Sequence, residues 1–180
     1  MDKILVKNAF AAVFEKKNLN SVLPVLFRAK FLGTTGTIAY IKSKGYLGRS
    51  VVGGFDFDGR VKSLDRKNFA AILADKSNPK HLKELKKLGF APIDLVIVDL
   101  YKPDRSNFPE TMDIGGQALI RAAIKNYKNV AVVFDAKSIV ELAAELKKNS
   151  GVTTLAFRKK QAKKALNFIA GRCKLEAGYF

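Results

Sequence analysis

The residues best suited to chemistry lie in one stretch, Met112 to Asn126, which reads MDIGGQALIRAAIKN. An acid, Asp113, and two glycines, Gly115 and Gly116, precede the helix formers Ala118, Leu119, Ala122 and Ala123. Arg121 and Lys125 follow, four residues apart and so on one helix face. Glycines at a helix start leave first-turn N–H groups uncovered. Those donors and the positive end of the helix dipole suit an anion or a polarised carbonyl. The plainer alternative is an ordinary N-cap, Asp113, and an ordinary last-turn cation, Lys125. A second candidate is Tyr101, directly after the apolar run Ile93 to Leu100. Such a run reads as a strand of a parallel sheet covered on both faces, and open α/β sheets bind ligands beyond the carboxyl ends of their strands.

Two glycine-bearing turns add anion-binding candidates. Gly33-Thr34-Thr35-Gly36-Thr37 joins a brief strand, Phe31-Leu32, to a helical pattern from Ile38. Strand, Gly/Thr turn and helix together present N–H and hydroxyl donors to a phosphate, with a simple helix cap as the alternative. No GxxxxGK motif is present, so the turn is not a Walker A loop. In Gly53 to Ser63, Arg60 and Lys62 stand beside glycines that permit close ligand approach; the alternative is a flexible surface loop.

Composition narrows the chemistry. A single histidine, His81, in a lysine-rich helical segment that should face solvent, argues against a His-based triad or a His-rich metal site. Acid–base work therefore falls to Lys, Tyr, Asp or Glu. The one cysteine, Cys173, has no partner for an internal disulfide and no metal-ligand neighbours. No apolar run approaches the ~20 residues of a membrane span, and the N-terminus has no signal-peptide pattern, so a cytoplasmic protein is expected. The formal charge of +17 favours anionic partners, but the lysines are spread along the chain rather than gathered in a stripe. Nucleic acid is therefore not expected as the main partner.

These residues must be positioned by alternating strands and helices. Strands are expected at Phe10 to Phe14, Phe31-Leu32, Val51-Val52, Ile93 to Leu100 and Val130 to Phe134. Helices are expected from Ser21 to about Lys30, from Ile38, from Pro79 to about Leu88, from a Ser138/Glu141 capping box to about Asn149, and from Thr154 to about Leu175. Phe69 to Ala74 should pack inside, and Gly151-Val152-Thr153 should break the preceding helix. The pattern predicts one α/β domain over 1–180: three layers, a mostly parallel sheet with helices on both faces, and a C-terminal helix.

Taken in order, the motifs resemble the IMP cyclohydrolase domain of the bifunctional AICAR transformylase/IMP cyclohydrolase family (PurH type), which has the methylglyoxal-synthase-like fold. Asp58 to Leu64 is similar to the family's DGRVKTL, Leu95 to Tyr101 to its LVVVNLY, and Asp113 to Asn126 to its DIGGxxxLRAAAKN, with the same twelve-residue step from acid to lysine. The resemblance implies closure of 5-formamido-AICAR (FAICAR) to IMP with loss of water, needing neither a metal nor a redox cofactor. It implies catalytic roles for Lys62, Tyr101, Asp113 and Lys125. Arg60, Ser63, Ile114 and Gly115 would hold the purine-like end, and Lys16, Thr34, Gly36 and Thr37 the 5′-phosphate. The partners implied are this nucleotide substrate and a separate AICAR transformylase; a homo-oligomer is compatible with the sequence. The chain departs from the pattern at Asp65, Asp99, Lys102 and Phe14. Two alternatives remain: a methylglyoxal-synthase-type lyase, and a basic nucleic-acid-binding module with a decayed site. One geometric demand follows. Twelve residues of straight helix would hold Asp113 and Lys125 ~18 Å apart. Asp113 to Gly116 is therefore expected to fold back as a loop, the glycines permitting the turn, and to bring Asp113 to Lys125.

Overall fold

Three apolar runs form adjacent strands of a parallel sheet in the computed structural model, which describes residues 2–52, 59–61 and 63–180. They are β2 (Asn8–Val13), β5 (Leu95–Asp99) and β6 (Ala131–Val133), each buried along most of its length. β3 (Lys30–Gly33) and β4 (Gly48–Ser50) extend the sheet on the other side of β2. The order among described residues is β4-β3-β2-β5-β6, with every neighbouring pair parallel. A strand covered on both faces must be apolar at both parities of the pleat, which is why these runs do not alternate.

Each face has its own helical layer. On one, α1 (Thr35–Ser43) and α5 (Ala136–Lys148) join two 3-10 turns, Lys16–Ser21 and Leu23–Leu26. Ile38, Ile41, Leu142 and Leu19 there pack on Ala9, Ala11, Ile97 and Val133. On the other lie α2 (Arg66–Leu73), α3 (Pro79–Lys87), α4 (Ile114–Lys125) and α6 (Leu155–Ala177). Ile72, Leu85, Leu119, Ile120 and Ile169 meet Phe10, Val96 and Val132. Each fully buried Leu or Ile of this kind contributes about 1.5–3 kcal/mol. The three-layer α/β architecture, with its C-terminal helix, is the one expected.

Several local expectations are corrected. The helix read from Ser21 is instead the two 3-10 turns, the second with Pro24 in its first turn. Asp135, rather than a Ser138/Glu141 box, caps α5: its carboxylate accepts from Ser138 N while Ser138 Oγ is held by Asp135 N. Glu141 instead pairs with Lys164. The segment read as a helix break contributes β7 (Val152–Thr154), which pairs antiparallel with β1 (Lys3–Leu5) in a separate two-stranded sheet. His81 is half-buried, its Nδ1 accepting from Asp75 N.

Candidate active site

The chain leaves β2 for β3 and β4 on one side of the sheet, then crosses to β5 on the other. The crevice at the carboxyl ends of β2 and β5 is thus the switch point where open α/β sheets bind ligands. β2 runs into Phe14 and β5 towards Tyr101, and their rings lie 6.0 Å apart. Asp99, at the end of β5, ties the two segments together. Its Oδ2 accepts from Glu15 N at 3.2 Å and from the Asn18 amide at 2.8 Å. Burial raises the pKa of this carboxyl, and the two hydrogen bonds oppose the shift.

One wall of the crevice is the start of α1. Thr34 is the N-cap residue, but its hydroxyl makes no capping bond and donates to Thr37 Oγ1 at 3.0 Å. Thr37 is buried. Its hydroxyl also accepts from Val13 N at 3.0 Å and donates to Val13 O at 3.2 Å. One proton and two lone pairs are then all in use. The Thr37 hydroxyl is therefore not available to a phosphate as expected; its main-chain N–H is the group left to serve. Lys16 approaches the same turn: its Cε lies 3.8 Å from where a Cβ on Gly36 would stand, and its Nζ donates to Phe14 O at 2.9 Å. A cation, a bare glycine and a helix start with no side-chain cap are what an anion needs.

The other wall is the start of α4, where the expected fold-back is absent. α4 is continuous from Ile114 to Lys125. Asp113 is its N-cap, with Oδ1 accepting from Gly116 N at 2.7 Å. That bond satisfies the carboxylate locally, so nothing draws it towards Lys125, which stands exposed in the last turn ~18 Å along the axis. A charged Asp113–Lys125 pair within one chain is excluded, and the proton shuttle built on it goes too. The two glycines serve close packing instead. A Cβ on Gly116 would fall 2.3 Å from Leu100 Cδ2 and 2.8 Å from both Asp113 oxygens, and one on Gly115 would fall 2.5 Å from Ser63 Oγ.

Tyr101 and Asp113 meet at this wall. The Tyr101 hydroxyl donates to the carbonyl of Met112, next to Asp113, at 3.3 Å. Burial raises the Tyr101 pKa; Asp113 and Glu176 push the same way, and Arg172 opposes. Burial also raises that of Asp113, against the Gly116 N–H and Arg172, while Glu176 adds to the rise. The phenol therefore keeps its proton, and the carboxylate is more basic than in water. Perturbed acids in a cleft mark candidate sites.

The expected groups sort into two sets and some outliers. Tyr101, Asp113, Ile114, Gly115 and Ser63 gather at α4; Lys16, Thr34, Gly36 and Thr37 gather at α1. Lys125 is remote. Arg60 is exposed and ion-paired with Glu110, and Lys62 lies outside the described residues. Another hollow, of about 780 Å³, is lined by residues that include Leu5, Lys7, Phe27 and Arg28, away from the strand carboxyl ends.

Over 180 residues the chain is 34% identical to the bifunctional purine biosynthesis protein PurH of Clostridium botulinum (strain Kyoto / Type A2), covering 92% of this chain and 36% of that protein. Against PurH of Brucella ovis the identity is 35% over 179 residues, covering 92% and 33% respectively. The chain belongs to the PurH family. It spans about a third of the length of these PurH relatives. Among solved structures, the crystal structure of ForH matches with a TM-score of 0.80 and 26% identity, covering 96% of this chain and 95% of that one. No family model matches the chain. Among the described residues, no helix is long and apolar enough to cross a membrane.

The PurH-type motifs did not point to three further residues at the α4 wall. Arg172 Nη1 donates to Tyr101 O at 2.8 Å. Gln117 Nε2 donates to both oxygens of the buried Glu176, at 3.0 and 3.1 Å. The one hint in the sequence is the four-residue spacing of Arg172 and Glu176, a pattern that more often marks a solvated helix face.

Proposed function

We propose that the chain carries the IMP cyclohydrolase step of purine biosynthesis, closing FAICAR to IMP, and that 1–180 act as a single cyclohydrolase unit whose substrate is formylated elsewhere. The observation that supports this most is geometric: the Tyr101 hydroxyl rests on the Met112 carbonyl, next to the Asp113 carboxylate that caps α4, at one wall of a crevice whose other wall suits a phosphate. The carboxamide nitrogen attacks the formyl carbon, forming the new C–N bond and a tetrahedral carbon. Asp113 takes the proton from that nitrogen, and Tyr101 turns from the Met112 carbonyl to donate to the developing oxyanion. The resulting hydroxyl leaves with the proton of the formamido nitrogen as one water, a C=N bond closes the ring, and the proton taken up by Asp113 returns to Tyr101. Because both reacting groups belong to one substrate, holding them as near-attack partners lowers much of the barrier. Lys16 and the start of α1 would hold the phosphate, and Gly115 with Ser63 would face the ring. Lys125 has no part in this scheme.

The test is direct: mix the purified chain with FAICAR and follow IMP by its absorbance. Formation of IMP above the uncatalysed rate is the expected result. Its absence at substrate concentrations that saturate binding would refute the assignment.

A further inference from the structure

α6 is held against both ends of α4. Near its start the buried Arg158 donates to Tyr127 O and Lys128 O, just past the end of α4, at 3.1 and 3.2 Å. In its last turn Glu176 receives Gln117, from the first turn of α4. One turn earlier, on the same face, Arg172 reaches the carbonyl of Tyr101. The segment between Tyr101 and Asp113 is braced from the same quarter: Phe108 packs edge-on against Tyr179 and Phe180, with centroids 5.4 and 5.0 Å apart. Both reacting side chains thus sit on backbone that the end of α6 steadies. A buried carboxylate is costly without compensation, and among the described residues the hydrogen-bond partner of Glu176 is a neutral amide. Among the described residues, Asp113 and Glu176 both act on Tyr101, Glu176 acts on Asp113, and Arg172 is a cation that acts on both Tyr101 and Asp113.

We infer that Arg172 is a positioning residue of this site: it fixes the main chain that aims Tyr101 and supplies the positive charge that faces Asp113, while Gln117 and Glu176 seat α6 on α4. The inference rests on the proposed ring closure. A guanidinium suits both tasks, because its fork keeps one N–H on the carbonyl while the charge spreads to the carboxylate.

The test compares Arg172→Gln, Arg172→Lys and, as a charge control, Lys174→Gln, an exposed site on the same helix. Arg172→Gln should lower kcat for IMP formation about tenfold to a hundredfold with little change in KM. Among the described residues, the groups that act on Asp113 are Arg172, Glu176 and the Gly116 N–H, Asp113 in turn acts on Tyr101, and Arg172 opposes the upward shift of Asp113. The acid limb of the kcat–pH profile should therefore move to higher pH in Arg172→Gln. Arg172→Lys, which keeps the charge without the fork, should restore the limb but not the full kcat. Lys174→Gln should change neither. A readout free of turnover is the tyrosinate titration of Tyr101, assigned by difference against Tyr101→Phe; it should move to higher pH in Arg172→Gln. If wild type forms IMP and Arg172→Gln leaves kcat, the acid limb and the Tyr101 titration unmoved, the inference is wrong. If wild type forms no IMP, the ring-closure proposal fails, and the Tyr101 titration alone decides the role of Arg172. Thermal melting checks that each variant folds; should Arg172→Gln not fold, the partial restoration expected of Arg172→Lys decides the matter.

Discussion

α1 and α4 both begin at the carboxyl edge of the sheet, yet a carboxylate of the chain itself occupies the first turn of α4, whereas α1 has no side-chain cap. Both helices present the same dipole end. At α1 that end stays open, beside Lys16 and glycine, and suits an incoming anion. At α4 it is already neutralised by Asp113, and an anionic ligand would meet repulsion there. On the proposed function the difference would give the crevice a polarity, with a phosphate bound at α1 and proton transfer at α4. A helix start with glycines is thus not one kind of site. Whether it holds a ligand or a reactive side chain depends on whether the N-cap carboxylate turns inward.

The comparison can be broken most decisively at Asp113. Asp113→Ala should lower IMP formation about 10²- to 10⁴-fold in steady-state assays, whereas Lys125→Ala, exposed at the far end of the same helix, should stay within about twofold. A large loss in Lys125→Ala would restore a role for that lysine that the single chain cannot explain. The glycines come next. Gly116→Ala drives a methyl into Leu100 and the Asp113 carboxylate and should cost about 1–3 kcal/mol in urea unfolding. Gly36→Ala meets only Lys16 Cε, at 3.8 Å, and should be neutral or stabilising by up to about 1 kcal/mol. Equal penalties would erase the distinction between the two helix starts. At α1, Lys16→Ala should raise KM for the ribotide about tenfold, an effect shrinking as salt rises; an unchanged KM would move the phosphate elsewhere. The smallest effect concerns pH. The folded-state pKa of Asp113 is raised, so its contribution to stability is present below the ordinary carboxylate range and lost as pH rises through the raised value. Asp113→Asn retains a capping oxygen and should therefore gain stability relative to wild type as pH rises through that window. Unfolding curves that run parallel throughout would remove desolvation as the cause.

What was legible in the sequence follows from how local each signal is. Continuous apolar runs such as Leu95 to Val98 admit little besides a strand buried on both faces, so the sheet and its layers could be read. The clustering of Tyr101 with Asp113, and of Lys16 with the Gly33–Thr37 turn, followed from strand ends and from motif resemblance. Other features depended on tertiary partners that no window contains. Thr37 reads as a phosphate ligand until Val13 is known to consume its hydroxyl. Arg172 and Glu176 carry no signal beyond a helical spacing, and take their roles from Tyr101 and Gln117 beneath them. The fold-back of Asp113 rests on a pairing with Lys125; the local capping bond to Gly116 N, available at no cost in chain conformation, holds instead. β7 was missed because three residues of Val and Thr carry no periodicity, and only β1 gives them a ladder.

The length of α6 between its two anchors carries a meaning of its own. Arg158 and Glu176 are eighteen residues apart, about five whole turns, so both side chains emerge at the same angle around the helix. The helix therefore works as a phased shaft as well as a spacer. Inserting one residue between the anchors would rotate Glu176 by roughly 100° and swing Arg172 off the Tyr101 carbonyl, even though every α6 side chain that packs on the sheet keeps its chemical character. Drift in the length of this segment would thus detune the crevice by angle, without altering any residue that touches a substrate.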